Sequence, residues 1–268
     1  MTSRTHPSSF NSRREIRVNA EPVNVFPTCL VELTRPEVGA AVVRVLRREG
    51  HPCRLAKGAT CCGQPAWNSG YADEARKVAR RTLKALAHTE GPIIVPSGSC
   101  ATMMHAYWPE LFRGTRQEAA ARSVAARVRE FSDFVDESRG DRVSAEPDDC
   151  VPVAYHDSCH MLRELGVHDQ PRRLLEDAGN AAASLPGASL CCGFGGTFSV
   201  KLPDVSIAMA DEKLDVIEEA ELETMVGCDV SCMMHLEGRA RRRGMKLAVR
   251  HLAEVLDDEG RGADHVGT

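Results

Sequence analysis

The spacing of cysteine organises this chain. Cys29 is followed by thirty-one residues and then the pair Cys61-Cys62, with Gly63 next. Cys159 is followed by thirty-one residues and then the pair Cys191-Cys192, with Gly193 next. Cys100 closes the first copy and Cys232 the second, so eight of eleven cysteines form one pattern written twice. Self-similarity at a fixed interval marks a duplicated module. Thiolates are soft ligands, and several converging on one point make a soft-metal centre, iron–sulfur or zinc. Adjacent cysteines do not readily share one tetrahedral zinc ion, and neither copy has the Cys-x-x-Cys spacing of a zinc knuckle. Two neighbouring thiolates can hold two different irons, so the pattern favours a multi-iron cluster. A zinc-stabilised, non-redox module is the alternative. Glycine beside each pair lets backbone N–H groups approach cluster sulfurs.

The copies are not equivalent. Cys228 lies four residues before Cys232, where Pro96 stands before Cys100. The candidate ligands are therefore Cys29, Cys61, Cys62 and Cys100 in one copy, and Cys159, Cys191, Cys192, Cys232 and the fifth thiol Cys228 in the other. Cys53 and Cys150 have no counterpart and read as small buried hydrophobes. His156 and Asp157 precede Cys159, and His160 follows it. An imidazole there could ligate iron, hydrogen-bond a sulfur or carry a proton, but a packed or capping side chain is the plainer reading. His105 and His235 read as packed or solvated, and Met103, Met104, Met233 and Met234 as core filler. Arg239, Arg241, Arg242 and Arg243 read as a solvated helix face, or more sharply as a dock for an acidic partner.

The elements that must position these residues alternate. Val23–Phe26 reads as a strand, Pro36–Arg48 as a helix stopped by Gly50, and Cys53–Leu55 as a second strand. A basic helix over Asp73–Ala87, a strand at Ile93–Val95 and a helix over Gln117–Val135 complete the first lobe. The second repeats the order: a strand at Val151–Tyr155, a helical segment to about Asp177, a helix over Asp204–Ala220, a strand at Thr224–Val226 and a helix from Cys232. Alternation of this kind predicts an α/β fold of two Rossmann-like lobes with parallel sheets, related by pseudo-twofold symmetry. Ligands then sit in loops at the carboxyl ends of strands, facing the cleft between lobes. The expected division is a disordered tail over 1–21, a first cysteine-rich domain over 22–149 and a second over 150–268, with the boundary near Ser144–Asp149.

Composition narrows the function. A net charge of −4 and a pI near 6.2 argue against a nucleic-acid or anionic-membrane surface. No apolar stretch approaches the roughly eighteen residues of a transmembrane helix. Arg4, Arg13, Arg14 and Arg17 are followed by no apolar segment, so the N-terminus is not a secretory signal. A cytoplasmic setting keeps the thiols reduced and available to metal. Gly193-Phe194-Gly195-Gly196 lacks the dinucleotide spacing, and no P-loop, nucleophile elbow or zinc-protease helix occurs. Without a hydride-accepting site, the chain is not expected to oxidise an organic substrate alone.

Longer motifs carry a family resemblance. They are Cys61-Cys62-Gly63-Gln64-Pro65-Ala66, Pro96-Ser97-Gly98-Ser99-Cys100, Tyr155-His156-Asp157-Ser158-Cys159-His160, the run from Cys191 to Lys201, and Ser231-Cys232-Met233-Met234-His235. Over about Val23 to Leu256 the chain resembles the iron–sulfur oxidoreductases with paired cysteine-rich CCG domains. The resemblance implies iron–sulfur clusters of the [4Fe-4S] type, cubane or non-cubane, and an electron-transfer subunit oxidising L-lactate to pyruvate. It implies companion lactate-utilization proteins as partners, one carrying further iron–sulfur clusters. Other members serve glycolate or glycerol-3-phosphate oxidation, or reduce heterodisulfides. In the heterodisulfide reductase subunit the motif ends Cys-x-x-Cys. That ending would need cysteine at Ser97 and Asp229, so both copies depart from it.

Overall fold

A computed structural model describes residues 22–140 and 150–263, with side chains through Asp258. The expected tail through Ala20 and the boundary at Ser144–Asp149 lie outside the described residues. The first lobe runs β1 (Val23–Val25), α1 (Cys29–Thr34), α2 (Pro36–Arg48), β2 (Cys53–Leu55), α3 (Gln64–Asn68), α4 (Ala72–Ala87), β3 (Ile93–Val95) and α5 (Gly98–Thr102). A π-helical turn at Met103–Tyr107 leads into α6 (Trp108–Leu111), followed by α7 (Glu118–Ala125), β4 (Val128–Glu130) and α8 (Phe131–Arg139). The second lobe runs β5 (Val151–His156), α9 (Cys159–Glu164), α10 (Asp169–Asp177), β6 (Asn180–Ala182) and α11 (Phe198–Lys201). It ends with α12 (Pro203–Glu219), β7 (Thr224–Gly227), α13 (Val230–Arg243), β8 (Ala248–His251) and α14 (Leu252–Ala263).

Each lobe builds a four-stranded, all-parallel sheet, in the order β2-β1-β3-β4 and β6-β5-β7-β8. The orders correspond strand for strand, as duplication requires. The single helix expected over Gln117–Val135 is corrected: β4 interrupts it, pairing Val128 with Ile93 and Glu130 with Val95. The helical segment after Cys159 is also two helices, broken where Gly166 takes φ +66°.

Strand alternation sends side chains to opposite faces of each sheet. Val23, Val25 and Ile94 join Val153, Tyr155 and Val226 in one core shared by both lobes. Ile93 and Val95 face a second core with Leu83 and Trp108, and Ala154 and Met225 a third with Leu214 and Leu236. Between the sheets, α2 packs on α14 and α8 on α10, two contacts that exchange under the duplication. Arg44 makes a bidentate ion pair with Asp257 at 2.8 and 2.7 Å, and Arg173 makes the corresponding pair with Asp136. Reciprocal contacts of this kind define a pseudo-twofold axis through the seam.

Candidate metal centre

In a parallel sheet the loops at strand carboxyl ends converge. Cys29 follows β1, Cys61 and Cys62 follow β2, and Cys100 follows β3. These strands are neighbours in the order β2-β1-β3, so their three loops are adjacent. The second lobe repeats this with Cys159 after β5, Cys191 and Cys192 after β6, and Cys232 after β7. The outermost strands β4 and β8 carry no cysteine of the pattern.

The thiols meet in two chains of the same order. Cys29 and Cys62 both act on the Cys61 thiol, and the Cys62 thiol donates to Cys100 at 3.4 Å. In the second lobe Cys159 and Cys192 act on the Cys191 thiol in the same way, and the Cys192 and Cys232 sulfurs lie within 4.8 Å of each other. The neighbouring thiols of Cys29 and Cys62 pull Cys61 down to about 3. Those of Cys159 and Cys192 lower Cys191 likewise. The neighbouring Cys61 and Cys191 hold Cys29 and Cys159 well above the ordinary thiol range. Cys232 is lowered to about 7 by the neighbouring Cys192 thiol. Cys62, Cys192 and Cys232 are buried, and the other five are half-buried.

Local backbone geometry fixes each pair. Gly63 and Gly193 take φ +92° and +87°, and their N–H groups donate to Cys61 and Cys191 Sγ, each at 3.4 Å. A Cβ on Gly63 would stand 2.7 Å from the Ala75 carbonyl oxygen of α4. On Gly193 it would stand 2.6 Å from that of Ser206 of α12. Only glycine permits both that dihedral and that approach. In the second lobe the Phe194 N–H adds a donor to Cys192 Sγ at 3.4 Å. Cys29 and Cys159 open α1 and α9, where free N–H groups favour a thiolate. Across the seam, Ser69 and Thr197 share a hydroxyl hydrogen bond, and Gly196 packs on Pro65, so the two cysteine-pair loops meet.

The fifth expected thiol is not brought into its quartet. Cys228 continues the alternation of Val226 and turns into the shared core. There the Tyr155 hydroxyl donates to its Sγ at 3.4 Å. Cys53 and Cys150 stand at the amino ends of β2 and β5, opposite the quartets; Cys53 Sγ donates to the His51 carbonyl at 3.3 Å. His160 Nδ1 lies 3.7 Å from Cys159 Sγ. Asp157 holds Arg172 at 2.9 and 2.8 Å, His105 bonds the Ala125 carbonyl, and His235 bonds Ser206. Met103, Met104 and Met233 are core. Three arginines of the basic run are paired within their own lobe: Arg239 with Asp211, Arg241 with Glu237, and Arg243 with Asp211, Asp215 and Glu218. The Arg239 and Arg243 pairs tie α13 to α12 and favour the structural reading of those two residues over a docking surface.

The sequence singled out His156 but not Lys213. Lys213 is buried on α12 and donates to the carbonyls of Gly187 and Ala188, ahead of Cys191. Among the described residues, His156 Nδ1, His156 Nε2 and Ser158 Oγ are buried without hydrogen-bond partners beside the second quartet. Orphaned polar atoms next to convergent thiols and inward N–H groups make a donor set that fits a bound metal or metal cluster.

A family profile described as a cysteine-rich domain, CCG, matches the chain twice, over residues 23–105 and 153–237. The chain belongs to that family. Each match begins at the central strand of a sheet and ends beyond the last cysteine of its quartet. Lactate utilization protein A of Anoxybacillus flavithermus is 44% identical over 238 residues, covering 88% of this chain and 98% of its own length. The protein of that name from Geobacillus kaustophilus gives the same figures: 44%, 88% and 98%. Lactate utilization protein A 2 of Bacillus cereus is 41% identical over 236 residues, covering 87% and 97%. Among the described residues, no helix is long and apolar enough to cross a membrane.

Proposed function

We propose that this chain is an iron–sulfur electron-transfer subunit in the oxidation of L-lactate to pyruvate. The observation that carries the reading is the folding of eight repeated cysteines into two matching quartets at strand ends. Relatives named for lactate utilization align over nearly the whole chain. The proposed ligands are Cys29, Cys61, Cys62 and Cys100 in one lobe, and Cys159, Cys191, Cys192 and Cys232 in the other. When bound, clusters of the [4Fe-4S] type would supply one-electron redox chemistry, while lactate oxidation releases two electrons and two protons.

The chain's own residues then have defined tasks. The thiols hold the metal, the N–H groups of Gly63, Gly193 and Phe194 stabilise negative charge on sulfur, and the flanking cores exclude water. The glycine run after Cys192 serves the cysteine loop, so the hydride acceptor belongs to another component. Companion lactate-utilization proteins, one with further iron–sulfur clusters, fill that role in this reading. A cytoplasmic setting fits a chain with eleven cysteines. The test is deletion of the gene in a strain growing on L-lactate. Growth on lactate should stop while growth on pyruvate continues, and the purified chain should not oxidise lactate unaided. Unaided lactate oxidation would replace electron transfer with direct catalysis.

A further inference from the structure

His156 ends β5, at the centre of the second sheet, and its side chain is only 3% exposed. Among the described residues neither ring nitrogen meets hydrogen-bond geometry with a partner, and the ring acts on the neighbouring Cys232 thiol. Buried polar atoms are nearly always paired, and leaving one unpaired costs about 1–3 kcal/mol. The same ring stands over the thiols. One of its nitrogens, Cys192 Sγ and Cys232 Sγ all lie within 4.8 Å of one another, and all three residues are buried. His156 stands three residues before Cys159; the residue three before Cys29 is Phe26, also buried. The second quartet therefore faces a nitrogen donor where the first faces hydrocarbon.

We propose that His156 is a nitrogen ligand of the second lobe's metal centre, so that the two lobes hold chemically unlike centres. The proposal rests on the reading of the quartets as iron–sulfur sites. With Cys228 turned into the shared core, His156 is the fifth donor of the second site, and the first site has four. Imidazole is an established ligand to cluster iron in place of thiolate. A ring bound through one nitrogen hands its other N–H to a nearby acceptor or water. His156 also lines a small cavity of about 20 Å³ with Lys213, Gly187 and Ala188, room for one water molecule.

The test uses the full chain, anaerobically loaded with iron and sulfide, with histidine labelled by ¹⁵N. Pulsed EPR of the reduced protein should show the strong nitrogen coupling of a directly bound imidazole. His156→Phe, which copies the first lobe, should abolish it. His105→Gln, His160→Gln and His235→Gln should retain it, which excludes the other histidines close to the cysteine loops even where His156→Phe does not fold. The absence of histidine coupling, only the weak coupling of a hydrogen-bonded ring, or persistence in a folded His156→Phe would overturn the proposal. Iron and sulfide are quantified on the same samples. A wild-type chain that takes up neither overturns the iron–sulfur reading as well; one that takes up both without the coupling overturns the ligand alone.

Discussion

Ser97 and Asp229 hold equivalent places in the two lobes, three residues before Cys100 and Cys232, and their side chains meet across the seam, with Ser97 Oγ 3.2 Å from Asp229 Oδ2. Each is the N-cap of the helix bearing its cysteine. The same Oδ2 accepts the Ser99 N–H at 2.8 Å, while Oδ1 accepts the Ser231 N–H at 3.1 Å. One buried carboxylate thus fixes both last-cysteine helices to each other. A cysteine at either position would break that contact, which accounts for the departure from Cys-x-x-Cys.

Asp229→Ala should therefore destabilise the whole molecule, not one loop. It removes a helix cap and orphans a buried N–H of the opposite lobe, together about 2–4 kcal/mol. Ser97→Ala should cost about 1 kcal/mol. Urea unfolding of the reduced apoprotein measures both, and an unchanged midpoint for Asp229→Ala would remove the seam from the account.

Gly63→Ala and Gly193→Ala should each cost at least about 2 kcal/mol, since positive φ and a carbonyl under 3.0 Å both oppose a Cβ. Iron should fall in the altered lobe alone. Gly238→Ala is the control: it lies inside α13 with nothing within 4 Å of a new Cβ, so it should be neutral or stabilising. Full iron retention in Gly193→Ala would show that the turn does not position the pair.

Glu130 and His251 are another equivalent pair, ending β4 and β8 and capping the helices that follow. Burial raises Glu130 from 4.5 to about 7 and lowers His251 from 6.5 to about 4. The stability contributed by Glu130 is present below pH 4.5 and lost as pH rises to about 7. That of His251 is present above pH 6.5 and lost as pH falls to about 4. Their slopes oppose over roughly pH 4.5–6.5, each at most about 1.4 kcal/mol per pH unit. Relative to wild type, Glu130→Gln should gain stability with rising pH in that window, and His251→Gln should lose it. Parallel stability–pH curves for wild type and both variants would contradict the assignment.

The cysteine pattern was legible because metal ligation constrains spacing. So were β1, β3 and α2, whose apolar faces are buried, while β2 was read as a strand although its Leu55 is exposed. The strands β4, β6 and β8 were not equally legible. Val128–Glu130 continues the spacing of the helix before it and becomes a strand only by pairing with β3. Asn180–Ala182 has no β-branched residue and is a strand because β5 offers it a partner. The shared core was hidden because each lobe's pattern is self-consistent, and only packing shows that Val25 and Val226 belong together. Cys228 looked like a ligand by spacing, but strand alternation decides which way it faces.

Single replacement of Cys53, Cys150 or Cys228 by Ala should leave iron content unchanged. Cys53 and Cys150 lie at the wrong end of the sheets, and Cys228 faces Tyr155. Loss of iron in any of the three, measured per folded chain, would reassign that thiol as a ligand.

The central claim is that each quartet holds an iron–sulfur centre. Its most direct measurement is iron and acid-labile sulfide per chain, with visible absorption, for anaerobically purified wild type, Cys62→Ser and Cys192→Ser. The account predicts both elements and thiolate–iron absorption in the wild type, with each variant losing the complement of one lobe and keeping the other. A colourless protein holding zinc without sulfide, or full iron retention in both variants, would contradict it.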